Sequence, residues 1–481
     1  MPASACRTNW RAHGMRSRAM PDFSILRRPL FEVAHLVERR EVSPVELAEL
    51  SLAAIDAANS VLNAFRCVLP ERALAAARRA EAEIAGGSYR GALHGIPLAV
   101  KDLMDVAGET TPAGSVVLAD RVATEDCDVV RRFDAAGAVI IGKTHLPEFA
   151  YHGSSINPHY GPVRNPWDLE RDTGGSSSGT GSAVAAGLVY GATGSDTGGS
   201  IRNPSSQCGL AGIKPTFGRV SGRGAVTLGW SLDHMGPMTR TVRDAALMLE
   251  AMAGYDPGDP RTARKHVPSY ADTLDAGVAG VRIALLEDDG ASLPLATPAV
   301  VHGLAHAAQA LADAGALVTP LRIPEVSELE LVGVGLLRME ASATYEHFLR
   351  EQPEALGAPA RDRLYLGWAM GPEVPLLAGQ ARTVLRERFS ARLDGFDLLL
   401  LPGMPYEAPP LATMPAGTRF LTPFNALGWP AMVTPSGLGE RGLPTAVQIV
   451  GRPWAEALVF RAARAVEAAV GPLNAPFAIP Q

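Results

Sequence analysis

The chain has 481 residues, 47% hydrophobic and 20% charged, the balance of a soluble globular protein with a large core. A formal net charge of −6 excludes a grip on nucleic acid through bulk charge. No run reaches the ~18 apolar residues of a membrane helix, and four cysteines without a C-x-x-C pair exclude a zinc or dithiol motif and read as free thiols of a cytoplasmic protein.

The first twenty residues carry Arg7, Arg11, Arg16 and Arg18 with no apolar stretch, so they are not a secretory signal. Residues 1–25 are expected to be a disordered extension, with Met15 or Met20 as alternative initiators, and 26–481 to be the folded domain. Ser43-Pro44-Val45-Glu46 reads as a helix start with a capping serine. Leu47, Leu50, Leu52, Ile55 and Ala58 follow at helical spacing, and a second helix is expected over 72–84. Ile96-Pro97-Leu98-Ala99-Val100 reads as a buried strand that opens at Lys101-Asp102 into a site. A helix over 129–136, a strand over 138–141 and a small-residue helix over 181–189 come next. Residues 281–286, 298–314 and 316–318 form a βαβ-like unit, and 396–401 and 446–450 are further apolar strands. Apolar strands alternating with helices predict an α/β fold with a mixed, mostly parallel sheet covered by helices on both faces. No low-complexity linker interrupts it, so a single large domain is expected.

The pentapeptide Asp-Thr-Gly-Gly-Ser occurs twice, at 172–176 and 196–200. Each copy delivers a serine from a glycine pair, where backbone N–H groups can approach a ligand. In the second copy Ser200 reads as a nucleophile beside an oxyanion hole built from main chain. Two rival motifs fit less well. Gly175-Ser176-Ser177-Ser178-Gly179 matches G-x-S-x-G with Ser177 as nucleophile, but the charged, turn-like stretch 165–171 precedes it instead of an apolar strand. Two Asp-Thr-Gly triplets suggest an aspartic protease, but copies this close cannot sit in two lobes.

A serine nucleophile needs a base. His94, His145, His152, His159 and His234 lie nearby in sequence, so a Ser-His pair stays open by count. Lysine usage points elsewhere: only Lys101, Lys143, Lys214 and Lys265 stand among 44 Lys and Arg residues. A desolvated lysine can become a neutral base, whereas arginine keeps its proton. Lys101, at the end of an apolar strand, is the best placed; Lys143 and Lys214 read as ion-pair or carbonyl donors.

Gly95-Ile96-Pro97-Leu98-Ala99-Val100-Lys101-Asp102, the segment from Gly174 to Arg202, and Gly212-Ile213-Lys214-Pro215-Thr216 together resemble the amidase signature family. The stretches 231–240 and 442–453 also match, so the resemblance runs over roughly 26–470, with its core at 95–222. It implies the amidase signature fold and a Ser-cisSer-Lys triad: Ser200 as nucleophile, Ser176 as the bridging serine after a cis peptide, and Lys101 as base. It further implies oxyanion amides at Thr197, Gly198, Gly199 and Ser200, with Gly174, Gly175 and Asp196 completing the binding loops. No metal or organic cofactor is implied, and the partner is a small-molecule amide, with a homodimer admitted and neither nucleic acid nor membrane. Ser178-Gly179-Thr180 departs from the family's usual Gly-Gly-Ser at that place.

The implied activity is amidase: hydrolysis of a carboxylic amide through a serine acyl-enzyme. The runner-up is the glutaminase subunit of a tRNA-dependent amidotransferase, whose Asn-Leu-x-Arg run after Glu-Ala-Ser is missing after Glu340-Ala341-Ser342. A non-catalytic scaffold is disfavoured because Lys101, Ser176 and Ser200 are retained together. The divergent stretch 331–424 is expected to shape the pocket. Leu336, Met339, Tyr345, Leu364, Tyr365, Trp368 and Met370 are candidates either for an apolar lining or for helix core. The expected substrate is a fairly apolar amide, anilide or carbamate.

Overall fold

Eleven strands build one sheet: β1 (Phe65–Val68), β2 (Pro97–Lys101), β3 (Val139–Thr144), β4 (Gly191–Asp196), β5 (Ala211–Lys214), β6 (His234–Thr239), β7 (Arg282–Asp288), β8 (Leu317–Arg322), β9 (Leu398–Pro402), β10 (Ala431–Leu438) and β11 (Pro444–Gly451). Their order across the sheet is β1-β3-β2-β4-β6-β5-β10-β11-β9-β7-β8. Two parallel triplets, β3-β2-β4 and β9-β7-β8, flank an antiparallel centre. The sheet is therefore mixed, inside one α/β domain. The computed structural model describes residues 21–411, 413 and 419–480. Most of the expected N-terminal extension, with Met15 and Met20, lies outside these residues, while Ser24 and Ile25 already open a helical turn, Ser24–Arg27.

Period-2 alternation explains why both faces are covered. Along β9, Leu398 and Leu400 enter one core with Ile283, Leu304 and Val459. Leu399 and Leu401 enter the other with Phe389, Phe420 and Phe424. Helices Pro298–Asp313 and Glu456–Val470 pack on the first face, and Glu325–Glu351 and Glu373–Arg392 on the second.

Most sequence expectations map onto elements. Ser43 caps the Pro44–Leu62 helix by accepting from the Val45 and Glu46 amides. The βαβ unit appears as β7, the Pro298–Asp313 helix and β8, in parallel register. The helix expected over 181–189 instead spans Ser178–Ala185, and a left-handed Gly187 lies just beyond its end. Cys127 and Cys208 are buried free thiols, whereas Cys67 is disulfide-bonded, against the expectation of a free thiol. No described helix is long and apolar enough to cross a membrane.

The topology sets the site. β3 lies on one side of β2 and β4 on the other, so the chain changes direction across the sheet at β2. Loops leaving the carboxyl ends of two parallel strands diverge at such a point and leave a crevice. Lys101 ends β2, and Asp196 ends β4.

Phe389 packs edge-on against Phe424 and Trp429, with ring centroids 6.2 and 5.2 Å away. Phe389→Ala is expected to cost about 3–5 kcal/mol, because the cavity it leaves cannot collapse against the sheet. A thermal-unfolding midpoint within a degree of the parent would contradict that packing.

Candidate active site

Lys101 is fully buried, and its Nζ meets three hydroxyls: Ser176 Oγ at 2.8 Å, Ser195 Oγ at 2.9 Å and Ser177 Oγ at 3.0 Å. No carboxylate forms an ion pair with it among the described residues. Burial pushes its pKa well below the usual lysine value, and the charges of Asp196 and Asp233 only partly oppose this. Burial thus favours the neutral form of the amine. A neutral amine has two N–H donors and one lone pair, so one of the three hydroxyls can donate to it.

The backbone aims this side chain. The Lys101 N–H donates to Thr193 Oγ1 at 3.0 Å, tying β2 to β4 beyond their ladder. Ser177 Oγ and Ser195 are joined twice, through the Ser195 carbonyl and the Ser195 N–H, both at 3.3 Å.

Ser176 follows a cis peptide bond from Gly175, as the resemblance implied. Its loop hangs on Asp172, whose carboxylate accepts from the Gly174 N–H at 2.7 Å, the Ser155 N–H at 2.8 Å and the Ser154 hydroxyl. Asn203 Nδ2 holds the Gly175 carbonyl at 3.1 Å and the Gly153 carbonyl at 2.8 Å. The Ser177 N–H donates to the Ser200 carbonyl at 3.1 Å, which locks the two pentapeptide loops together.

Ser200 is the half-buried member and opens into a cavity of about 310 Å³. Thr197, Gly198 and Asn203 share that wall. The N–H groups of Thr197, Gly198 and Ser200 make no hydrogen bond among the described residues. The Gly199 N–H differs: it donates to Asp196 Oδ1 at 2.7 Å. Of the four amides implied as an oxyanion hole, three therefore remain free. Gly199 has φ +120°, and an added Cβ would fall 2.5 Å from Leu421 Cδ1, so only glycine fits there.

Asp196 does not line the cavity. It is a fully buried hub that also accepts from the Ile201 N–H at 3.1 Å and from Arg202 in a bidentate pair, Nη2 at 2.9 Å and Nε at 3.0 Å. Burial alone would raise its pKa, but the Arg202 charge and hydrogen bonds outweigh it and hold the carboxyl far below the usual range. Arg202 is completed by Gln448 Oε1 at 2.7 Å, Asn425 Oδ1 at 2.7 Å and the Leu421 carbonyl at 2.8 Å. Asn425 Nδ2 returns to the Asp196 carbonyl at 2.8 Å. Thr197 is steadied from the other side by Asp233, which accepts its hydroxyl at 2.6 Å and is pushed up to about 6 by burial.

Gly174 and Gly175 also stay behind the cavity wall and act through the loop they shape. No histidine hydrogen-bonds to Ser176 or Ser200 among the described residues, so the Ser-His alternative falls. His94 meets Glu83, His145 the Leu146 carbonyl, His159 Glu148 and His234 the Leu232 carbonyl. His152 accepts from the Ser154 N–H while edging the cavity. Lys143 pairs with Asp102 at 2.9 Å, and Lys214 donates to the Pro215 and Trp429 carbonyls, as expected.

The seven residues named as candidate pocket lining are not at this cavity. Leu336, Tyr345 and Leu364 are buried core, and Tyr345 stacks on Phe149 with centroids 4.0 Å apart. Tyr365 and Trp368 face solvent, and Met339 and Met370 lie off the lining. Their helices do form the far wall, but through Glu330, Val334, Leu337, Arg338 and Arg363. Sequence reasoning missed these, along with Ser177, Ser195, Asn425 and Gln448. Ser177, Ser195 and Gln448 lay inside matching stretches but without these roles; Asn425 and the wall residues carried no signal.

The family model described as Amidase matches residues 46–460. An amidase from Pseudomonas putida is 40% identical over 460 residues, covering 93% of this chain and 97% of that protein. A glutamyl-tRNA(Gln) amidotransferase subunit from Anaeromyxobacter sp. (strain K) is 38% identical over 486 residues, covering 95% and 99%. Among solved structures, a chain from a vestigial complex bearing on the origins of an s-triazine catabolic enzyme superposes with a TM-score of 0.88 at 34% identity, covering 93% of this chain and all of that one.

The Asp196–Arg202 pair yields a stability prediction. Arg202→Met leaves a buried carboxylate without its cation and is expected to cost about 3–5 kcal/mol. The double variant Asp196→Asn/Arg202→Met should recover part of that loss. Equal thermal midpoints for the single variant and the parent would remove the pair from its structural role.

Proposed function

We propose a function from one premise: this chain belongs to the amidase family. The reading is hydrolysis of a compact carboxylic amide through an acyl-serine enzyme, releasing a carboxylate and ammonia or an amine. The observation that carries it is the buried Lys101 amine 2.8 Å from Ser176 Oγ, behind a cavity that Ser200 faces.

In this mechanism neutral Lys101 takes a proton from Ser176 as Ser176 takes one from Ser200. Ser200 Oγ attacks the amide carbon, and the N–H groups of Thr197, Gly198 and Ser200 receive the oxyanion. The relay then runs backwards, delivers the proton to the leaving nitrogen, and the C–N bond breaks. Water enters, the relay deprotonates it, and the ester is hydrolysed. Leu228, Val334 and Leu337 give the cavity an apolar middle, consistent with an aliphatic or aryl acyl group.

The second reading is the glutaminase component of a tRNA-dependent amidotransferase, favoured by the 38% identity to a protein of that kind. Against it, Ser342 and Tyr345, at and just after the Glu-Ala-Ser triplet, are given over to packing. Ser342 Oγ bridges to the Leu364 carbonyl at 2.7 Å, and Tyr345 donates to the Thr227 carbonyl at 2.7 Å. Ammonia release from L-glutamine only when a partner protein is added would favour this second reading.

Two outcomes test the first. A fluorophosphonate probe should label the wild type and fail with Ser200→Ala; an unlabelled wild type would sink the hydrolase reading. Lys101 must be neutral to act, so kcat/KM should fall as pH drops through its depressed pKa and level off above it. Lys101→Arg keeps the positive charge but cannot shed its proton, and should lose about 10²–10⁴-fold at every pH. A Lys101→Arg variant with parental turnover would refute the base.

A further inference from the structure

Resting on the amidase reading, we propose that the substrate carries a carboxylate, seated against Arg338 and Arg363 on the wall of the cavity that Ser200 faces.

The wall is built from two helices, Glu325–Glu351 and Ala358–Trp368. On the first, Glu330, Val334, Leu337 and Arg338 all reach the cavity, at the i, i+4, i+7 and i+8 positions of one helix face. Eight residues put Arg338 about 12 Å along the axis from Glu330. The face therefore runs from a carboxyl group, through an apolar middle, to a guanidinium. Burial pushes the Glu330 carboxyl up to about 7, which further weakens its claim to be a counterion.

The second helix brings Arg363 to the same cavity. The two helices are pinned close together here. A Cβ on Gly367 would fall 2.1 Å from the Arg338 carbonyl, and Ser342 Oγ lies 2.7 Å from both the Leu364 and Arg338 carbonyl oxygens, so its one proton can go to either. Arg363 is fixed by one hydrogen bond, from Nη1 to the Tyr151 carbonyl at 2.6 Å, with its guanidinium 5.9 Å from the Tyr151 ring centroid. That bond uses one of its five N–H donors. Arg338 has no side-chain hydrogen bond among the described residues, and neither arginine is ion-paired with an acid there.

Two guanidiniums on one partly desolvated wall repel each other, and burial and Arg338 both lower the Arg363 pKa. An arrangement that unfavourable becomes favourable when an anion enters. The planar forks of arginine match a carboxylate better than a spherical anion. A cavity of about 310 Å³ limits the ligand to a short chain, with Val334 and Leu337 against its methylenes. The class is a monoamide of a short dicarboxylic acid, with the amide at Ser200 and the carboxylate at the arginines.

The test compares charged amides with neutral isosteres of the same shape: succinamate with 4-methylpentanamide, and glutaramate with 5-methylhexanamide. The wild type is expected to prefer the charged member by about 10–100-fold in kcat/KM, the worth of a charge-assisted pairing. Arg338→Gln should cut that ratio at least about tenfold, chiefly through KM for the charged amide, as should Arg363→Lys, which keeps the charge but loses the fork. Arg322→Gln, on an exposed arginine of β8, should leave the ratio unchanged. A wild-type ratio of one or below, with the neutral amides turned over, overturns the inference and leaves the amidase reading standing. If no amide is hydrolysed, the amidase reading is the one that fails, and calorimetry with glutarate decides the inference by itself. Binding in the wild type that is lost in Arg338→Gln upholds it, and no binding in the wild type overturns it.

Discussion

The site depends on keeping one ammonium out of water. The proposed mechanism makes Lys101 the base; a lysine in solvent is a cation and no base, so that role needs a place where its charged form loses more than its neutral form. The end of β2 supplies that place because β3 and β4 flank it in parallel and the loops beyond them close over it. Three hydroxyls then satisfy the amine without stabilising its charge as a carboxylate would. A carboxylate in contact would restore the proton and abolish the base. The two acids whose charge reaches it are held by other partners: Asp196 by Arg202, and Asp233 by the Thr197 hydroxyl and the Leu228 and Gly229 N–H groups.

That division of charges explains the rest of the core. The acid that could quench Lys101 ends the neighbouring strand, β4, so it is neutralised by a cation of its own. Arg202 suits that task because its donors reach Asp196, Asn425, Gln448 and the Leu421 carbonyl at once. Residues more than two hundred positions apart are thereby joined behind the Thr197–Ser200 turn. A buried ion pair gives little net stability, but a broken one is costly. The pair therefore serves to fix the Thr197–Ser200 turn, which carries the three free amides that the proposed mechanism aims at the oxyanion.

Legibility in the sequence followed side-chain chemistry. Lys101, Ser176 and Ser200, the proposed triad, stand out in the sequence as a rare lysine and two serines after glycine pairs, and the structure places Lys101 Nζ 2.8 Å from Ser176 Oγ with Ser200 at the cavity. The apolar strands β2, β3, β7 and β9 stand out too and could be read. β4, β5 and β6 could not: Gly-Ala-Thr-Gly-Ser-Asp and His-Met-Gly-Pro-Met-Thr have neither an apolar run nor alternation, and they become strands because their neighbours pair with them. Asn425 was invisible, since its role exists only once Asp196 is beside it. The pocket wall was assigned to the right stretch but the wrong residues. Apolar side chains there were drawn into helix–helix packing, and the face left to the cavity carries arginines.

The doubled pentapeptide has a physical basis beyond its serines. In both copies the aspartate accepts amides of its own glycine turn, Asp172 from Gly174 and Asp196 from Gly199, each at 2.7 Å. The shared sequence is thus a self-capping loop, used twice to present a serine. The copies differ in what balances the carboxylate. Asp196 has Arg202 and is held strongly ionised, whereas Asp172 relies on the hydroxyl and amide of Ser154 and Ser155, and burial raises its pKa. That asymmetry fits the two positions. A second guanidinium beside Ser176 would lie close to the Lys101 amine, and its repulsion would lower further the pKa of the group that the proposed mechanism needs as proton acceptor. Neutral donors hold the first loop in place without adding a charge near Lys101, as the proposed transfer of the Ser176 proton requires.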